Sequence, residues 1–109
     1  MVKRKDLDQV YLSIDRFVNH LKMKGITLDK VILFGSWARG IPKDKSDIDL
    51  CLVSKKFGND EVKELQFLLY QARAIDERIE PIPLSLSDYN NNATPMVLEI
   101  KKYGKVLPL

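Results

Sequence analysis

Two short groups of residues in this 109-residue chain have types and spacings suited to polyphosphate and metal chemistry. Gly35 and Ser36 close the apolar run KVILFG, and ten residues later Asp47 and Asp49 open a second run, DIDLCLVS. A glycine and a hydroxyl where a strand passes into a helix gather unpaired backbone N–H groups, the positive end of a helix dipole and one more donor around a single point. That environment suits phosphate oxygens. The same pair also makes an ordinary turn, with Ser36 suited to the N-cap of a short helix over SWARG and Gly40 to its exit. Asp47 and Asp49, at positions i and i+2 of a strand, project from one face about 7 Å apart along the chain. Carboxylates so placed repel each other, and away from water they require protons or a divalent cation. Mg²⁺, a hard ion that takes oxygen ligands together with substrate phosphates, is the natural occupant. A strand whose mouth frays into solvent would carry the same two aspartates, so the pair alone leaves both readings open.

The elements that must position these groups are legible from periodicity. Leu7, Val10, Tyr11, Ile14, Phe17, Val18 and Leu21 fall on one helical face, and Gly25 stops that helix. Residues 30–35 form a short buried strand that ends at Gly35. In residues 47–54, Asp47, Asp49, Cys51 and Val53 share one face and Ile48, Leu50 and Leu52 the other, which predicts a central strand. Asn59 or Asp60 caps a helix running to about Asp76, with Val62, Leu65, Leu68, Leu69, Ala72 and Ile75 on its main apolar face. Phe67 and Tyr70 lie outside that stripe and mark a surface for a partner. Pro81 and Pro83 hold residues 78–84 extended and place them at a sheet edge. SDYNNNA is a polar loop in which Asp88 and Tyr89 form turns. Thr94, Pro95 and Gly104 bracket a last helix, and KVLPL adds a short strand.

Bulk properties set the frame. A chain of 12.6 kDa with 45% hydrophobic residues suits one domain over 1–109 and leaves no room for a second, acceptor-binding domain. A net charge of +3, spread along the chain, argues only weakly for a polyanionic partner, and a nucleic acid is not the expected ligand. Cys51 is the only cysteine, so no intrachain disulfide forms. No run is long enough to span a bilayer, and a cytoplasmic protein is the expectation.

Taken together, Gly-Ser, ten residues, Asp-x-Asp and a later acidic position, Glu80, resemble the nucleotidyltransferase superfamily that includes DNA polymerase beta. The match runs over FGSWARGIPKDKSDIDLCLV and RIEPIPLS. Its implied fold is α/β (α+β), a small mixed sheet flanked by helices. Its length is similar to that of the minimal nucleotidyltransferase domains that act as antitoxins beside HEPN-domain ribonuclease toxins. The resemblance implies transfer of AMP from ATP to a tyrosine hydroxyl of the toxin, or neutralisation by binding alone; a small-molecule transferase, as for aminoglycosides, is the further alternative. Residue by residue it assigns Gly35 and Ser36 to the nucleotide and Asp47, Asp49 and Glu80 to Mg²⁺ and catalysis; Arg39, on the short helix, either binds the nucleotide by reaching a phosphate or packs as a surface charge. The third carboxylate of the family is often Asp; here it is Glu, followed directly by Pro81.

The remaining polar residues have plainer readings. Lys43 and Lys45 sit in a solvated loop beside the site, and Ser46 fixes the entry to Asp47. Trp37 anchors the short helix in the core. His20 is read as a solvated residue and not as an acid or base, since nothing nearby in sequence pairs with it.

Overall fold

A computed structural model of the chain describes residues 3–42 and 47–109; Lys43, Lys45 and Ser46, and the roles expected of them, lie outside the described residues. The elements follow in the order α1 (Arg4–Met23), β1 (Lys30–Phe34), α2 (Gly35–Arg39), β2 (Ile48–Ser54), α3 (Glu61–Arg73), β3 (Ile79–Ser85), α4 (Leu86–Asn90), α5 (Pro95–Tyr103) and β4 (Lys105–Leu107). One four-stranded mixed sheet in the order β3-β2-β1-β4 organises them. β1 pairs antiparallel with both β2 and β4, whereas β2 and β3 run parallel, as a crossover through α3 requires.

Strand alternation divides the core in two. Val31, Leu33, Ile48, Leu50, Leu52 and Ile79 point to the face covered by α1 and α3, where Val10, Ile14, Phe17, Leu21, Leu68 and Ala72 meet them. Ile32, Cys51, Val53 and Leu84 point to the opposite face, covered by Val97 and Ile100 of α5. Both faces of β2 are therefore buried beyond its first turn of side chains, as expected of a central strand. Trp37 is buried in the first cluster, where the sequence placed it.

The caps are those the sequence marks, with exceptions. Asp60 accepts from Lys63 N–H (3.1 Å), and Glu64 reaches back to the N–H groups of Gly58 and Asn59. Thr94 accepts from Val97 N–H, with Pro95 at the first helical position of α5. α3 stops at Arg73 instead of continuing towards Asp76, which instead accepts hydrogen bonds from Ser13 Oγ and the Arg78 side chain. Val62 and Leu65 of its expected apolar face are exposed. Phe67 stands at the border of exposure and Tyr70 well out in solvent.

Two expectations are corrected. SDYNNNA is not a plain loop: residues 86–90 form α4, because Ser85 Oγ accepts from Asp88 N–H (3.0 Å) and Leu86 and Tyr89 pack on the second cluster. His20 is not unpaired. It donates through Nε2 to Oε1 of the buried Gln71 (2.6 Å), joining α1 to α3. A one-sequence reading cannot see that pairing, since the two residues are 51 positions apart.

Candidate active site

The β1–α2 junction is built on backbone conformation. Gly35 opens α2 with φ +71°, in the left-handed region open to glycine, and a Cβ there would overlap the Asp49 carboxylate. The glycine thus answers two demands, a sharp turn off the strand and close approach of an acidic side chain. Gly40 closes the helix at φ +73°, and Ile41 N–H bonds back to the Ser36 carbonyl (3.1 Å).

Ser36 is not the N-cap expected of it. Phe34 occupies that position and contributes no side-chain cap, so Ser36 falls inside the first turn. The reason is that the chain turns at Gly35 itself, which moves the cap from Ser36 back to Phe34 and the helix start two residues earlier. Phe34 therefore offers no side-chain cap to the first N–H groups of α2.

Strand register assembles the carboxylates. Phe34 of β1 lies opposite Asp49 of β2, and Asp49 lies opposite Glu80 of β3, so the three residues form one transverse row. That row lies one step along from Ile32, Cys51 and Ile82, on the face α5 covers only in part. Asp47 stands exposed just ahead of β2 on the same side. Burial pushes the Asp49 carboxyl above its ordinary pKa, and the negative charges of Asp47 and Glu80 add to the shift. Asp49 thus feels the charge of acidic residues brought to it from two separate segments of the chain.

Glu80 has a second partner. Arg73, at the end of α3, donates from Nη2 to Glu80 Oε1 (3.1 Å) and from Nη1 to the carbonyls of Glu77 and Ile79. Nothing in the local sequence signals this pairing, because the crossover from α3 to β3 creates it. Among the described residues no three His, Cys, Asp or Glu side chains enclose a point tightly enough to ligate an ion by themselves. The donor set is nevertheless all oxygen, and the Asp49 carboxylate lies against the opening backbone of α2 at Gly35. Both suit a hard divalent cation brought in with phosphate oxygens.

Arg39 projects from the end of α2 over the Tyr103 ring of α5, 4.4 Å from its centroid. With Gly35 and Ser36 it borders a cleft of about 350 Å³ between α2 and α5. Sequence reasoning missed α5 as a wall of the site. Its only local signal is the exposure of Met96 and Tyr103 on a helix whose other side is core.

A family profile described as "Polymerase beta, Nucleotidyltransferase" matches residues 17–108. Among solved structures, a Sulfolobus solfataricus protein assigned as a nucleotidyltransferase superimposes with a TM-score of 0.67 at 20% identity, over 94% of this chain and 82% of that one. A chain from a mutant of the MntA–HepT toxin–antitoxin pair superimposes with a TM-score of 0.58 at 21% identity, over 86% of this chain and 70% of that one. At these identities the likeness is one of fold. No curated protein matches significantly. Among the described residues no helix is long and apolar enough to cross a membrane.

Proposed function

The chain belongs to the polymerase beta nucleotidyltransferase family, and from that premise we propose that it transfers AMP from ATP to a hydroxyl of a partner protein, a tyrosine of a HEPN-type toxin, and so acts as that toxin's antitoxin. The observation that carries the reading is the Asp49 carboxylate. It is held against the bare backbone of Gly35, beside Glu80 in register and Asp47 ahead of it, with its proton affinity raised by burial and by those two charges. A side chain strained in this way has a use if a cation is recruited to it.

In this reading Gly35 and Ser36 hold the triphosphate through N–H groups and hydroxyl, and Arg39 lies at the edge of the same cleft. Asp47, Asp49 and Glu80 are the residues that would hold Mg²⁺, which when bound supplies positive charge for the leaving pyrophosphate and eases deprotonation of the attacking hydroxyl. Glu80 Oε2, the oxygen not paired with Arg73, takes the hydroxyl proton. The toxin-antitoxin neighbour supports the choice of a protein acceptor over a small molecule such as an aminoglycoside.

One observation favours a second reading. Because Arg73 ties Glu80 to the end of α3, the third carboxylate is partly neutralised, as in a protein that neutralises its partner by contact alone. The test is to incubate the protein with the product of its neighbouring gene, ATP and Mg²⁺ and to weigh the partner. A gain of one or more AMP units that disappears in Asp47→Ala/Asp49→Ala supports transfer. No gain, with inhibition persisting in the double variant, leaves contact as the mechanism.

A further inference from the structure

Resting on the nucleotidyltransferase reading, we propose that Arg73 is a positioning residue for the third carboxylate: a counter-ion built into the fold, which holds Glu80 at the rim of the sheet and competes with a divalent cation for it. Asp49 and Glu80 lie directly opposite one another on parallel strands, which run about 4.8 Å apart. Like charges at that spacing repel, and a nearby charge of opposite sign relieves them. Of the ion pairs among the described residues, only that of Arg73 reaches Asp47, Asp49 or Glu80.

The guanidinium does not depend on Glu80 for its place. Nη1 donates to the carbonyls of Glu77 (2.7 Å) and Ile79 (2.9 Å), so the backbone fixes the fork. Arg78 gives its carbonyl to Ile48 N–H (2.8 Å), on the side of β2. Backbone groups alternate along a strand, so the Ile79 carbonyl, and the guanidinium on it, lie at the outer rim of β3. From there Nη2 donates one bond to Glu80 Oε1 (3.1 Å), drawing that oxygen to the side of the strand away from Asp49. The two side chains are 44% and 39% exposed, and a single bond between groups that water reaches is easily exchanged. Glu80 can thus leave for a cation while Arg73 stays on its carbonyls. Glutamate has the length for both positions; an aspartate, one methylene shorter, would stay beside Asp49. Only a planar fork serves two carbonyls and a carboxylate at once, a geometry that a lysine ammonium lacks.

The experiment is titration of the whole chain with Mn²⁺, without nucleotide, followed by electron paramagnetic resonance of the free ion. Arg73→Gln removes the charge and keeps an amide donor for the carbonyls, and is expected to tighten Mn²⁺ about fivefold; with Glu80→Gln in both members of the comparison, the gain should shrink to within about twofold. Glu80→Asp frees the carboxylate from the other side and leaves the fork in place. It is also expected to tighten Mn²⁺, and it decides the matter if Arg73→Gln does not fold. An arginine that only braces the end of α3 would, when replaced, lower Tm and leave Mn²⁺ affinity where it was. Unchanged or weaker Mn²⁺ binding in either folded variant, or a gain in Arg73→Gln that persists in full without Glu80, overturns the counter-ion role and leaves the nucleotidyltransferase reading to the AMP-transfer assay. Wild-type protein that binds no Mn²⁺, with or without ATP, overturns both together.

Discussion

Substituting Gly35 with alanine separates two demands that meet at one position. A Cβ at φ +71° incurs the left-handed penalty of about 1–2 kcal/mol, and it also collides with the Asp49 carboxylate. Asp49 answers by rotating away from its preferred rotamer, at about 0.5–1.5 kcal/mol. The expected loss is therefore ~2–3 kcal/mol, a drop in Tm on the order of 10 °C for a domain of this length. Gly40 is the internal control. Its φ of +73° is nearly the same, but a Cβ there meets nothing within 4 Å, so Gly40→Ala loses only the backbone part. Chemical denaturation of both variants, repeated in an Asp49→Ala background, isolates the contact. Gly35→Ala should approach Gly40→Ala once the carboxylate is gone, a coupling of about 1 kcal/mol, above the roughly 0.3–0.5 kcal/mol scatter of additive sites. Equal losses for the two glycines in the wild-type background, or a Gly35 penalty that ignores Asp49, would refute the reasoning.

Three further outcomes are expected. Because the folded state raises the Asp49 pKa above 3.8, its ionisation weakens folding as pH rises through the raised value. Asp49→Asn should then raise Tm at pH 7, lose that advantage below pH 3.8, and abolish the Tm increase that Mg²⁺ or Mn²⁺ gives the wild type; a lower Tm at pH 7 contradicts this. Asp76 shows the opposite sign: burial opposes its charge, but hydrogen bonds from Arg78 and Ser13 outweigh burial and bring its pKa down to about 2. Its stabilisation is full above pH 3.8 and lost as pH falls towards 2, so Asp76→Asn should cost on the order of 2 kcal/mol in urea at pH 7 and almost nothing at pH 2. Cys51 is fully buried and its thiol is pushed up to about 12 by that burial, so a thiol reagent should label it only on unfolding. Stoichiometric labelling of the native protein within minutes runs against that burial.

What could be read in advance was whatever is written in local spacing. The alternation of 48–53 fixed both the central place of β2 and the face of Asp49, and the bracket of Thr94, Pro95 and Gly104 located α5. Two misreadings come from partners far apart in sequence: His20 finds Gln71, 51 positions away, and Asp76 accepts from Ser13 of α1, 63 positions away. The tie from Arg73 to Glu80 spans only seven positions but exists only because the chain folds back from α3 into β3. Ser36 failed for a local reason: a glycine able to turn at positive φ moved the helix start past it. α4 was hidden because its residues are poor helix formers, held by a serine cap and by Leu86 and Tyr89 packing below.

The two prolines of β3 act as a register lock. β3 bonds to β2 alone, and backbone groups along a strand point alternately to its two sides, so Pro81 and Pro83 keep their missing N–H groups outward while Glu80, Ile82 and Leu84 face the ladder. A slip of one residue would turn both prolines towards β2 and forfeit ladder bonds there. The same slip would send Glu80 to the opposite face, away from Asp49. The prolines also strip the outer rim of donors between Ile79 and Ser85, which closes this edge to an incoming strand. A partner approaching the carboxylates from the β3 side must therefore engage side chains and not extend the sheet.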